Sequence, residues 1–210
     1  MRRHLARPRA RGVTAIFRGG REAGSAVPAT MKEKRRRRKR QRVFAYIGVT
    51  AAWALSIWLS QVFAPPDWVH TLALFGHLAS LVVGLGAVLA IDWHALLWAT
   101  GWSSVRELRQ ADRTLILPIW IGLGGLLATG TLLEPHLDNP LTILKMVSVL
   151  VLSLNGVALT RWTADLARLP AGARFGALPK AARVGFTTSA IVSQVAWWTA
   201  VFIGMLNATT

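Results

Sequence analysis

Residues 67–102 read DWVHTLALFGHLASLVVGLGAVLAIDWHALLWATGW, and they hold the only long apolar run that carries histidines. A helix rises 1.5 Å per residue, so roughly 20 apolar residues cross about 30 Å of hydrocarbon. This stretch is longer than that, which leaves room for tilt or for an extension into the headgroups. Turning about 100° per residue, it places His70, Ala73, His77, Ser80 and Gly84 on one narrow stripe. Leu72, Phe75, Leu78, Val82 and Leu89 fall on the opposite side. In a bilayer small and polar residues face other helices and large apolar ones face lipid.

The rest of the chain agrees with a membrane reading. Of 210 residues 53% are hydrophobic, yet the formal charge is +16. Both values hold only if charge and apolar sequence are segregated, and they are. Sixteen of the twenty-five Lys and Arg lie in residues 1–42, a Gly-, Ala- and Pro-rich stretch with no apolar period. Such a stretch buries too little surface to fold alone, so it reads as a disordered cytoplasmic tail. Met31 opens its KEKRRRRKRQR block and offers a second start for translation. That block directly precedes a hydrophobic run, which points to a topogenic and anionic-lipid-binding role rather than to nucleic acid. With no cysteine, disulfides, thiolate metal sites and cysteine nucleophiles are excluded.

Spans are expected at about 43–63, 69–99, 115–133, 141–160 and 184–206. The fold class is therefore all-α, an integral membrane bundle of five transmembrane helices behind the tail, with 43–210 as the membrane domain. Lysines and arginines outside the spans number sixteen in the tail, three between spans two and three and five between spans four and five, with none in the other loops. The asymmetry puts the N-terminus in the cytoplasm and the C-terminus outside. The composition, rich in Arg, Ala and Gly, points to a bacterial cytoplasmic membrane. In the third span the glycines Gly122, Gly124 and Gly125 sit inside an apolar helix without the Lys and Ser/Thr of a phosphate-binding loop, so they read as packing residues.

With that orientation the unusual ionisable residues converge on the outer half of the bundle. His70 stands at the surface, His77 roughly 10 Å deeper, and Lys145 within about two turns of the start of span four. Ser148, Asn155 and Gly156 share the Lys145 face. An intramembrane charge costs roughly 2.5–3.5 kcal/mol at mid-bilayer, so these residues need an explanation. One explanation is structural: an interfacial His70, a snorkelling Lys145, and a His77 hydrogen-bonded to Asn155, Gln194 or a backbone carbonyl. The other is a cofactor. His70 and His77 belong to one helix and cannot ligate opposite faces of one porphyrin, so a second axial ligand has to come from Met146, Lys145, His136 or a second chain. A seven-residue spacing also holds two imidazoles too far apart for one metal ion.

His77 within FGHLASLVVGLGAVL and Lys145 within NPLTILKMVSVLVLSLNG resemble the histidine helix and the later lysine helix of copper-resistance-D-type membrane proteins and of the related haem-dependent bacterial protoporphyrinogen oxidase. The resemblance covers spans two to four. It implies a haem-ligating His77 and a functional Lys145, here with an Asn-Gly pair at Asn155–Gly156 where a further histidine is expected. The leading reading is thus a membrane protein binding haem b, or a related redox ligand, through His77, Met146 and His70, with Lys145 as the catalytic residue. The alternative is a non-catalytic membrane subunit or assembly partner without cofactor, whose polar stripes pack helices against a partner protein or a second copy.

Overall fold

The computed structural model describes residues 31–135, 137–166 and 169–209. Residues 1–30, most of the expected tail, and His136 lie outside them. Two compact units divide the chain after Arg38. Of the first, residues 31–38 are described, and they are helical. The second, Lys39–Thr210, holds the membrane bundle.

Five helices make up the fold: α1 Met31–Val62, α2 Asp67–Thr100, α3 Val105–Gly130, α4 Pro140–Leu166 and α5 Lys180–Thr209. Each contains a segment long and apolar enough to cross a membrane, and no strand occurs among the described residues. The chain is a multi-pass integral membrane protein. On α2 the five residues expected to face lipid are all exposed, with Phe75 at 73% and Val82 at 72%, while Ala73 and Gly84 on the opposite stripe are buried.

Helix ends follow local chemistry. Gly101 closes α2 in the left-handed region at φ 84°, and the Trp102 N–H returns to the Leu97 carbonyl, a C-terminal motif that suits glycine. Pro140 takes the first position of α4 behind Asn139, whose side chain accepts from the Leu141 N–H at 2.9 Å. α3 starts ten residues earlier than the hydrophobic run. Ser104 caps the helix by accepting from the Glu107 N–H, and its hydroxyl donates to the Glu107 carboxylate. Val105 and Leu108 then bury against Trp98, Leu166 and Leu178. Most of the connection between the spans expected at 69–99 and 115–133 is therefore helix, and Pro118, near the start of the latter, lies in mid-helix.

The bundle is built from two antiparallel pairs. α2 packs along α3, and α4 along α5, whereas α3 and α4 meet only briefly. The α2–α3 pair is held at Gly84 and Gly122. A Cβ on Gly122 would run into the Gly84 backbone and come within 2.8 Å of the Ser80 carbonyl, and a Cβ on Gly125 would meet the Ser80 side chain. Gly124 faces open space. In the α4–α5 pair a Cβ on Gly185 would strike the Trp162 ring, Asn155 and Ser189 exchange two hydrogen bonds of 2.9 Å, and Asn207 donates to Thr142. The pairs join through a cluster of Val88, Leu126, Leu152, Ala196 and Trp197. A second cluster closes the end nearest the α2–α3 connection, where Trp98 donates to the Ala173 carbonyl at 2.8 Å and meets Phe175 edge-on.

Because the obstacle at Gly122 is backbone, it cannot rotate away. Gly122→Ala should destabilise the protein by about 1–3 kcal/mol. Gly124→Ala should be neutral or stabilising by up to about 1 kcal/mol. Thermal denaturation in one detergent, compared with wild type, checks both.

Candidate functional site

The register of α2 on α3 brings one polar pair into contact beyond the glycine crossing. His77 stands opposite Thr129, Ser80 opposite Gly125 and Gly84 opposite Gly122, so each step of three or four along α2 is matched by one back along α3. His77 Nδ1 lies 2.9 Å from Thr129 Oγ1. The Thr129 hydroxyl in turn sits 2.6 Å from the Gly125 carbonyl. A hydroxyl has one proton, and a carbonyl can only accept. The shorter contact takes the Thr129 proton to Gly125, which assigns His77 Nδ1–H as the donor to Thr129. In that tautomer of the neutral imidazole Nε2 carries the lone pair, and it makes no hydrogen bond among the described residues.

Space for the ring comes from small neighbours. A Cβ on Gly130 would sit 3.9 Å from His77 Cε1, and one on Gly76 would be 3.2 Å from the Thr129 methyl. Lys145, half-buried near the start of α4, is close enough for its charge to act on the imidazole. Met146 beside it is half-buried as well. Helix α1 docks on this region through two side chains: Trp53 Nε1 donates to the Met146 carbonyl at 2.9 Å, and Ser56 donates to the Leu127 carbonyl at 3.0 Å. α2, α3 and α4 thus supply His77, Thr129 and Lys145, and α1 ties α3 to α4 beside them.

Other sequence candidates fall elsewhere. His70 is exposed at the start of α2, two turns from His77. The partners expected for His77 are engaged otherwise: Asn155 pairs with Ser189 on α5, and Gln194 donates to Asp92 at 2.7 Å. His94, near the far end of α2, bonds the Ala90 carbonyl within its own helix. Neither His77 nor Lys145 lines the internal cavity of about 350 Å³. It lies between the two core clusters, toward the opposite end.

Chemically, the His77 site offers an imidazole nitrogen with its lone pair outward and its other nitrogen anchored, which is how proteins prepare a histidine to bind a metal. Lys145 on α4 brings an ammonium close enough to act on the imidazole, and Met146 is its neighbour in sequence. No acidic side chain belongs to the site, and no group of three or more His, Asp or Glu able to hold a bare metal ion occurs among the described residues. No family model matches the chain, and neither does a curated protein or a solved structure.

The tautomer argument has a direct check. In protein labelled with ¹⁵N-histidine, His77 should give the signature of an Nδ1–H imidazole, assigned by its disappearance in His77→Gln. Thr129→Ser should preserve it. Thr129→Val should release the ring into a tautomer mixture, at a stability cost of about 0.5–1.5 kcal/mol for the lost bond.

Proposed function

We propose that the protein is a haem b binding membrane protein in which His77 Nε2 is the iron ligand. The observation that carries this reading is the Gly125–Thr129–His77 chain, which leaves Nε2 as a lone-pair donor inside an apolar bundle. Bound haem supplies one-electron chemistry. The chain's own residues bind, orient and shield it. Thr129 sets the ring angle and keeps Nδ1 protonated. Lys145 would hold a propionate or another anionic group, the ion-pairing role its ammonium suits in a low-dielectric setting. Met146 would offer a thioether as a further ligand, and His70, exposed near the start of α2 and two turns from His77, would contribute less directly. Trp53 and Ser56 hold α1 against the same region and keep water from it.

The positive-inside pattern supports a cytoplasmic N-terminus in a bacterial cytoplasmic membrane, which sets the His77 and Lys145 region in the outer half. The basic block at residues 32–42 then lies against anionic headgroups, each charge worth roughly 1 kcal/mol there.

Protein purified from haem-supplemented cells should show a Soret band, and His77→Ala should abolish it at equal protein recovery. Thr129→Val should weaken haem affinity about 10-fold or more, Lys145→Met should lower retention during dialysis, and His94→Ala should leave the spectrum unchanged. A wild-type protein without a Soret band after supplementation would leave the reading of a cofactor-free membrane subunit. Separately, a reporter fused after Thr210 should be active outside the cytoplasmic membrane only, and activity in the cytoplasm would reverse the orientation.

A further inference from the structure

The cavity between the two core clusters belongs to no part of the His77 site. It arises because α2–α3 and α4–α5 are each tightly paired, while the two pairs touch at Val88, Leu152 and Trp197 and again around Trp98 and Leu166. The space between those contacts is about 350 Å³ and mostly apolar, within the range of pockets that bury a small ligand. Its polar wall is selective. Asp92 and Asp112 line it, and no Lys or Arg does among the described residues. Arg113 stands beside Asp112 and balances its charge in part. Asp92 has only the neutral amide of Gln194, so a carboxylate within a membrane helix faces the cavity without a cation, a costly arrangement that marks functional positions.

The same Asp92–Gln194 contact forms the boundary with the lipid. A shallow groove on the outer surface between α2 and α5 is lined by Leu89, Trp93 and Val195. It shares Asp92, Leu96, Ala190 and Ile191 with the internal cavity. Cavity and groove are therefore two sides of one thin wall. A 2.7 Å hydrogen bond from Gln194 to Asp92 crosses it, and Trp198 steadies the amide by donating to its oxygen at 3.0 Å.

We propose that this cavity binds a lipophilic amine that enters sideways from the bilayer between α2 and α5, its apolar body among Leu123, Leu152 and Trp197 and its ammonium on Asp92. An anionic head finds no cation there, and a head without donors leaves the carboxylate unpaired. Exchange of Gln194 for the ammonium as the partner of Asp92 opens the wall and satisfies the ligand in one step.

The test is photolabelling of the full-length protein in phosphatidylcholine nanodiscs with octylamine bearing a terminal diazirine, against octanoic acid bearing the same group. Mass spectrometry should place the amine label, carried at the chain end remote from the ammonium, around Leu123, Leu152 and Trp197, and excess unlabelled octylamine should suppress it. Asp92→Asn, which keeps an acceptor for Gln194 and so the local fold, should lower the label about tenfold, and Ala190→Trp should remove it by filling the wall. Equal labelling by the acid, or amine labelling that survives both substitutions, overturns the proposal. The readout needs no haem and is indifferent to the His77 reading.

Discussion

Contact between the backbones of α2 and α3 at Gly84 and Gly122 is the constraint on which the other features depend. Within lipid no hydrophobic force separates helix from tail, so association rests on close packing and on polar contacts. Two glycines facing each other permit an approach that any side chain would forbid. Once that approach is set, helical periodicity sets the rest of the register. Two turns along α2 from Gly84 comes His77, and two turns on from Gly122 along α3 comes Thr129, which meets it. In the other direction the same register ends with Trp98 packed against Leu108 at the far end.

Polar groups inside the bundle are paired across helices rather than along them wherever two elements must be held at a given angle. Trp53 and Ser56 tie α1 to carbonyls of α4 and α3, Asn155 and Ser189 tie α4 to α5, and Gln194 ties α5 to α2. An unpaired polar group in hydrocarbon costs several kcal/mol, so each such bond both satisfies its atoms and selects one arrangement of helices. Single hydroxyls such as Ser148 and Ser153 need no partner helix, since they bond carbonyls one turn back in their own helix. His77 and Asp92 differ from these groups. The hydrogen bonds that orient them leave a nitrogen lone pair in one case and a negative charge in the other still to be used.

Much of this was legible in the sequence, and the limits have physical causes. Apolar runs of span length establish five membrane helices, and the period of residues 67–102 separates the lipid face of α2 from its packed face. Glycines inside an apolar run identify the close crossing, although only the structure separates Gly122 and Gly125, which pack, from Gly124, which does not. What periodicity cannot give is which helix a face meets. Asn155 shares the Lys145 side of α4 in a helical projection, but its partner is Ser189 because α4 pairs with α5. The early start of α3 was signalled by Ser104 and Glu107 at capping-box spacing, a local signal outweighed by the polarity of the residues that follow. The internal cavity has no sequence signature, because it comes from the divergence of two helix pairs and not from any one segment. His77 faces α3, as the stripe of α2 implies, and meets Thr129 there.

The central claim, a glycine crossing that fixes the α2–α3 register, is open to a clean measurement because the chain has no cysteine of its own. With Gly76→Cys and Thr129→Cys in one chain, mild oxidation in native membranes should form an intramolecular disulfide rapidly, since a Cβ on Gly76 would lie 3.2 Å from the Thr129 methyl. Cysteines at Gly76 and Gly124 should stay reduced under the same conditions, since Gly124 faces open space. Efficient crosslinking of the Gly76 and Gly124 pair, with none between Gly76 and Thr129, would show that α3 is rotated, and the glycine crossing would fall with it.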